Sequence, residues 1–138
     1  MTMVKRLHSD ESGAAAIELA LSLPVLITMI YGIFEFCQLY EANAAMQHAL
    51  GEGARLATLC IPNTGSSTGC DNPSDTTILA KENAKLFGPT GGSFNVQTPT
   101  TNSGYKTLTI TYTRTMNFLF FTGPTITLTR SKQVYTVS

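Results

Sequence analysis

From Ala14 to Phe34 the residues are apolar or small, and Glu18 is the sole Asp, Glu, Lys or Arg among them. A run of about 20 such residues has the length a helix needs to cross a bilayer. Lys5 and Arg6 stand just before it and no Lys or Arg follows until Arg55. The positive-inside rule therefore predicts a single-pass protein with a cytoplasmic N-terminus and the rest of the chain outside the cytoplasmic membrane. The small residues Gly13-Ala14-Ala15-Ala16 precede the apolar core, whereas a secretory signal carries its cleavage site beyond a shorter core. A cut at this cluster would spare the helix.

Glu18 is the anomaly of the run. An ionised carboxylate in hydrocarbon costs about 2.5 kcal/mol or more and marks a functional or pairing role. Cleavage after Gly13 would create an α-amine on Ala14, one helical turn from Glu18, and supply a counter-charge. The alternative is that Glu18 lies near enough to the cytoplasmic interface to stay hydrated. Pro24, inside the run, removes a backbone donor and predicts a kink or loosening.

Beyond Phe36 the pattern turns amphipathic. Leu39, Met46, Leu50 and Ala57 share one helical face, and Glu41, His48, Glu52 and Arg55 the opposite one. A helix over 14–59 would be roughly 65–70 Å long. Its apolar stripe is expected to pack on the chain's own C-terminal region, with neighbouring helices as the rival partner. Gly51 and Gly53 fit either a hinge or a close backbone approach.

The remaining chain is rich in Thr, Ser, Asn and Gly. Ser74 or Asp75 can cap a short helix carrying Ile78, Leu79, Ala80, Leu86 and Phe87, ended by Gly88 and Pro89. From Phe94 the period becomes two: Tyr105, Leu108, Ile110 and Tyr112, then Ile126, Leu128, Val134 and Val137. Asn102-Ser103-Gly104 and Thr122-Gly123-Pro124 read as turns. The expected architecture is α+β: a long N-terminal transmembrane and amphipathic helix on a small antiparallel sheet of three or four strands, with one short additional helix. The segments are 1–13 as a leader, 14–36 as the span, 37–60 as the helix extension and 61–138 as a small extracytoplasmic domain.

Three cysteines leave one unpaired. Cys60 and Cys70 flank a turn-rich stretch and suit a local disulfide in an oxidising compartment. Cys37 reads as a small buried helix residue without a role. Metal binding is disfavoured, because no CxxC pair occurs and His8 and His48 fall on opposite sides of the predicted membrane. Net charge is zero and only 13% of residues are charged, which argues against a nucleic-acid partner. No nucleophile elbow, phosphate loop or dinucleotide fingerprint appears, so no enzyme activity or cofactor is indicated.

The residues Asp10-Glu11-Ser12-Gly13-Ala14-Ala15-Ala16-Ile17-Glu18-Leu19-Ala20-Leu21, followed by Leu23-Pro24, closely resemble the start of TadE-like proteins, minor pilins or pseudopilins of tight-adherence (Tad, Flp-type) pilus systems. The resemblance continues through Gly32-Ile33-Phe34-Glu35-Phe36, Leu39-Tyr40 and Gly51-Glu52-Gly53-Ala54-Arg55-Leu56-Ala57, over roughly the first 60 residues. Leu19 departs from it, standing where many relatives carry Phe or Tyr. The resemblance implies that a prepilin peptidase cuts between Gly13 and Ala14, and that Glu18, the fifth mature residue, serves processing or assembly. It further implies, as partners, other pilins or pseudopilins and the Tad inner-membrane platform, and a role in pilus assembly and adhesion. The rival reading is an uncleaved, membrane-anchored binding module.

Overall fold

The computed structural model describes residues 11–59, 61–62 and 70–135, with side chains for 13–59 and 72–135. The fold is α+β. Helix α1, Glu11–Ala57, is continuous for 47 residues, about 70 Å at 1.5 Å per residue. It passes through Pro24 uninterrupted, and the Thr28 hydroxyl donates to the Pro24 and Val25 carbonyls at 2.8 and 2.9 Å.

Two regimes divide α1. Through its first half the large apolar side chains point outward on every side: Ile17, Leu19, Leu21, Val25, Leu26 and Met29 are all exposed. From Glu35 onward a buried stripe begins, with Leu39, Ala42, Ala45, Met46, Ala49, Leu50, Ala54 and Ala57. The alanines keep the stripe low, so the helix lies close to the sheet. Sequence periodicity placed this stripe correctly, and its partner is the chain's own C-terminal half.

A short antiparallel pair follows, β1 (Ile61–Pro62) with β2 (Cys70–Asp71). Helix α2, Asp75–Lys85, is capped by Ser74, whose hydroxyl accepts from the Thr77 amide. Asp75 in its first turn and Lys85 in its last complement the helix dipole. The helix ends earlier than expected. Leu86 is already extended, and Phe87, outside the helix, is exposed with its ring edge-on to His48 at 6.5 Å.

The sheet is a meander in the order β3 (Gly92–Asn102), β4 (Tyr105–Phe118), β5 (Phe121–Tyr135). Central β4 alternates strictly, burying Leu108, Ile110, Tyr112, Arg114 and Met116 against α1. Its other face is a ladder of threonines: Thr111 opposite Thr129, Thr113 opposite Thr127, Thr115 opposite Thr125. Ser103-Gly104 makes the first hairpin turn as expected, with Gly104 at φ +85°.

The second turn corrects the sequence reading. It falls at Leu119-Phe120, between the paired residues Phe118 and Phe121, and Thr122-Gly123-Pro124 lies within β5. Register slips between Thr115 and Asn117, so the extra residue on β5 is a bulge on an edge strand. A bulge is where a sheet tolerates Gly and Pro. A Cβ on Gly123 would sit 2.8 Å from the Phe118 ring, so this glycine serves a close approach and not a turn. The other edge strand does the same, slipping register between Gln97 and Thr100, the stretch that contains Pro99.

Candidate functional site

The first half of α1 is the candidate site, and its exposure is informative. A core helix of a water-soluble protein would bury its apolar residues; the span-length window within Gly13–Ala57 is 0% buried. The apolar positions circle the helix, which is the pattern of a segment solvated by lipid on all sides. α1 is thus long and apolar enough to cross a membrane once.

The sequence-derived residues lie at its beginning. Gly13, Ala14 and Glu18 are exposed on one continuous helix, and Ala14 and Glu18 are four residues apart, stacked on one face. Nothing lies within 4 Å of a Cβ built on Gly13. The pairing of Cys60 with Cys70 cannot be followed, because Cys60 and the Cys70 side chain lie outside the described residues. The backbone pairing of Pro62 with Cys70 does bring the two flanks of that loop together. Cys37 corrects the sequence reading: it is exposed, not buried. Two positions before Leu39 on α1, it falls off the buried stripe and lines a shallow groove with Phe34, Gln38, Glu41 and Thr90.

At the C-terminal end of the apolar run, α1 meets the sheet through a buried ion pair. Glu35 is 3% exposed and Arg114 7%. Arg114 Nε donates to Glu35 Oε2 at 3.0 Å, its Nη2 to Oε1 at 3.3 Å, and its Nη1 to the Thr90 carbonyl at 2.7 Å. Burial is the largest influence on Arg114 and opposes its charge, but the Glu35 carboxylate and the neighbouring Tyr112 hydroxyl together outweigh it and raise the guanidinium pKa. The fork geometry satisfies both carboxylate oxygens. Sequence reading missed this pair, although Arg114 continues the inward phase of Leu108, Ile110 and Tyr112. A cation on a buried phase demands an acid.

Further out, Arg130 Nε donates to Asn43 Oδ1 at 2.8 Å and Lys106 pairs with Asp75 at 2.6 Å. Between α1 and α2 a second buried carboxylate has no such support. Glu82 is 0% exposed, and neither side-chain oxygen has a hydrogen-bond partner. Burial pushes its pKa up to about 7. Its phase, four residues after buried Ile78, was the available signal. It lies against Gly53, where a Cβ would be 2.5 Å from Glu82 Oε1; around Gly51 there is open space. Gly53 is therefore the close contact, and Gly51 is not. Among the described residues no three His, Cys, Asp or Glu side chains converge.

Residues 13–55 match the family model of TadE-like proteins. The similarity to TadE-like proteins is confined to α1. The TadE-like segment runs from Gly13 to Arg55, so it contains Ala14, Glu18, Glu35 and both glycines of the outer helix. It stops before the cysteine loop and the sheet. No curated protein and no solved structure matches the chain.

Proposed function

We propose that the chain is a TadE-like pseudopilin or minor pilin precursor that a prepilin peptidase cuts between Gly13 and Ala14, and that the mature subunit supports Tad pilus assembly and adhesion from the cytoplasmic membrane. Lys5 and Arg6 hold the leader in the cytoplasm, and the sheet domain lies outside. The observation that carries this reading is the continuous, all-round apolar helix with Glu18 one turn beyond Ala14. Cleavage converts the Ala14 amide into an ammonium stacked over the Glu18 carboxylate, so two charges that each oppose burial in lipid offset one another within or between subunits.

Gly13 suits the cut for a second reason. A scissile bond inside a helix must leave its hydrogen-bonded geometry before a peptidase can reach it. Glycine eases that step, because it weakens a helix locally by about 1 kcal/mol relative to alanine.

The test is the intact mass and N-terminal sequence of the protein from its native membranes, with Gly13→Ala alongside. The expected result is a chain starting at Ala14 that is lost in the variant. A retained leader in piliated cells would overturn the reading and favour an uncleaved membrane-anchored binding module. Glu18→Ala should insert efficiently and fail in processing or assembly; normal piliation would remove Glu18 from the account.

A further inference from the structure

The β4–β5 hairpin ends in a feature that a water-facing turn does not need. Its tip reads Phe118-Leu119-Phe120-Phe121, and Leu119, Phe120 and Phe121 are 55%, 64% and 58% exposed. Phe118 and Phe121 stack across the turn with ring centroids 4.8 Å apart. No Asp, Glu, Lys or Arg occurs from Thr115 to Thr129.

The position of this tip is as informative as its composition. Phe118 leans on α1 at Gly32, its Cε1 3.7 Å from where a Cβ would stand. Gly32 lies inside the apolar run, roughly 6 Å before Phe36 along the helix axis. Around it on α1, Met29, Ile30, Ile33, Phe34 and Phe36 are also exposed. The charge-free stretches of both elements begin at the same place, the Glu35–Arg114 pair, and extend in the same direction from it. Exposed apolar surface on the hairpin is therefore continuous with that on the helix, at one level of the molecule, with every described charge of the sheet domain on the far side of the ion pair.

We propose that the hairpin tip is a second membrane contact, with Leu119, Phe120 and Phe121 embedded at the headgroup–acyl boundary beside α1. This rests on α1 spanning the bilayer. Aromatic side chains favour that boundary, and apolar residues of interfacial elements sit about 5–10 Å into it. The turn backbone is short and capped by the Phe118–Phe121 pairing, so only side chains need to enter the hydrocarbon. Two attachment points, one spanning and one interfacial, fix the rotation of the domain about the helix axis as well as its height.

The chain has no Trp, so single substitutions report depth directly. Full-length Phe120→Trp, Leu26→Trp and Tyr135→Trp proteins are reconstituted in phosphatidylcholine vesicles carrying bromine either near the headgroup end or mid-chain. Phe120→Trp should be quenched roughly twofold or more by the shallow bromines and less by the deep ones. Leu26→Trp should show the reverse, and Tyr135→Trp, at the opposite end of the hairpin, should be unaffected. If Leu26→Trp is quenched while Phe120→Trp is as insensitive as Tyr135→Trp, the hairpin contact is wrong and the span stands. A blue-shifted but unquenched Phe120→Trp would also overturn it, and would place another protein copy over the tip. No quenching at Leu26→Trp would bring down the spanning helix itself.

Discussion

Glu82 should make the domain less stable as pH rises toward neutrality. Its carboxyl is fully buried between α1 and α2 with no partner for either oxygen, and its pKa is raised from 4.5 to about 7. Between those values the native state holds a proton that the unfolded chain has released, so stability falls with rising pH. The contribution is intact below about pH 4.5 and lost as pH climbs through 7. The shift spans about 2.5 pH units at about 1.36 kcal/mol each, so the loss is at most about 3 kcal/mol. Glu82→Gln keeps the shape and cannot ionise. Denaturant unfolding of the full chain in neutral detergent micelles, followed by tyrosine fluorescence, gives the free energy for both proteins across pH. Their difference cancels every other titrating group. It should move against the wild type by up to about 3 kcal/mol between pH 4.5 and 7.5. A flat difference, or one that favours the wild type at higher pH, would show that the buried carboxylate is not carrying an unpaired charge.

The same unfolding assay tests two other contacts. Arg114→Met strands Glu35 as a buried unpaired acid and should cost about 3–5 kcal/mol, whereas Glu35→Met with Arg114→Met should recover most of that loss. A double variant as unstable as the single one would mean the pair matters beyond its charges. The two glycines of the outer helix should part company. Gly51→Ala, with open space around it, should stabilise by about 0.5–1 kcal/mol, while Gly53→Ala, driven into Glu82, should destabilise by about 1–3 kcal/mol. Equal effects would disprove the close approach at Gly53.

How far the sequence could be read follows from the range of the forces involved. The long apolar helix, the stripe from Leu39 to Ala57, the Ser74 cap and the Ser103-Gly104 turn are each set by residues within a turn or two of one another, and each was legible. Glu35 and Arg114 are 79 residues apart, and neither names its partner locally. The phases of Arg114 on β4 and Glu82 on α2 marked them as buried, but only assembly of the two helices and the sheet shows that one is paired and the other is not. Gly123-Pro124 misled because the same dipeptide signals a turn or an edge bulge, and cross-strand register decides between them. Leu119-Phe120 carries no turn residue at all. Its place at a hairpin tip makes sense only once the exposed apolar half of α1 is seen alongside it.

The continuity of α1 offers a way to separate the two roles proposed for Glu18, one in processing and one in assembly. Processing depends on local spacing: Gly13, Ala14 and Glu18 lie within two turns. Assembly depends on where Glu18 faces relative to the sheet domain, because the helix runs without a break from the junction into the core. One alanine inserted after Val25 adds about 1.5 Å and rotates everything before it by about 100° relative to everything after it. All side chains around that point are exposed or half-exposed, so neither the Glu35–Arg114 pair nor the core should notice, and unfolding stability should match wild type. Cleavage at Ala14 should also be unchanged. If Glu18 has to meet the Ala14 ammonium of a neighbouring subunit docked in fixed orientation, piliation should fall sharply with processing intact. If Glu18 serves only the peptidase, or only its own α-amine, the inserted chain should assemble normally. A third variant calibrates the result: the same insertion after Phe36 rotates Glu35 away from Arg114 and should cost about 3–5 kcal/mol in folding, which identifies what a failure of the domain, as opposed to a failure of docking, looks like.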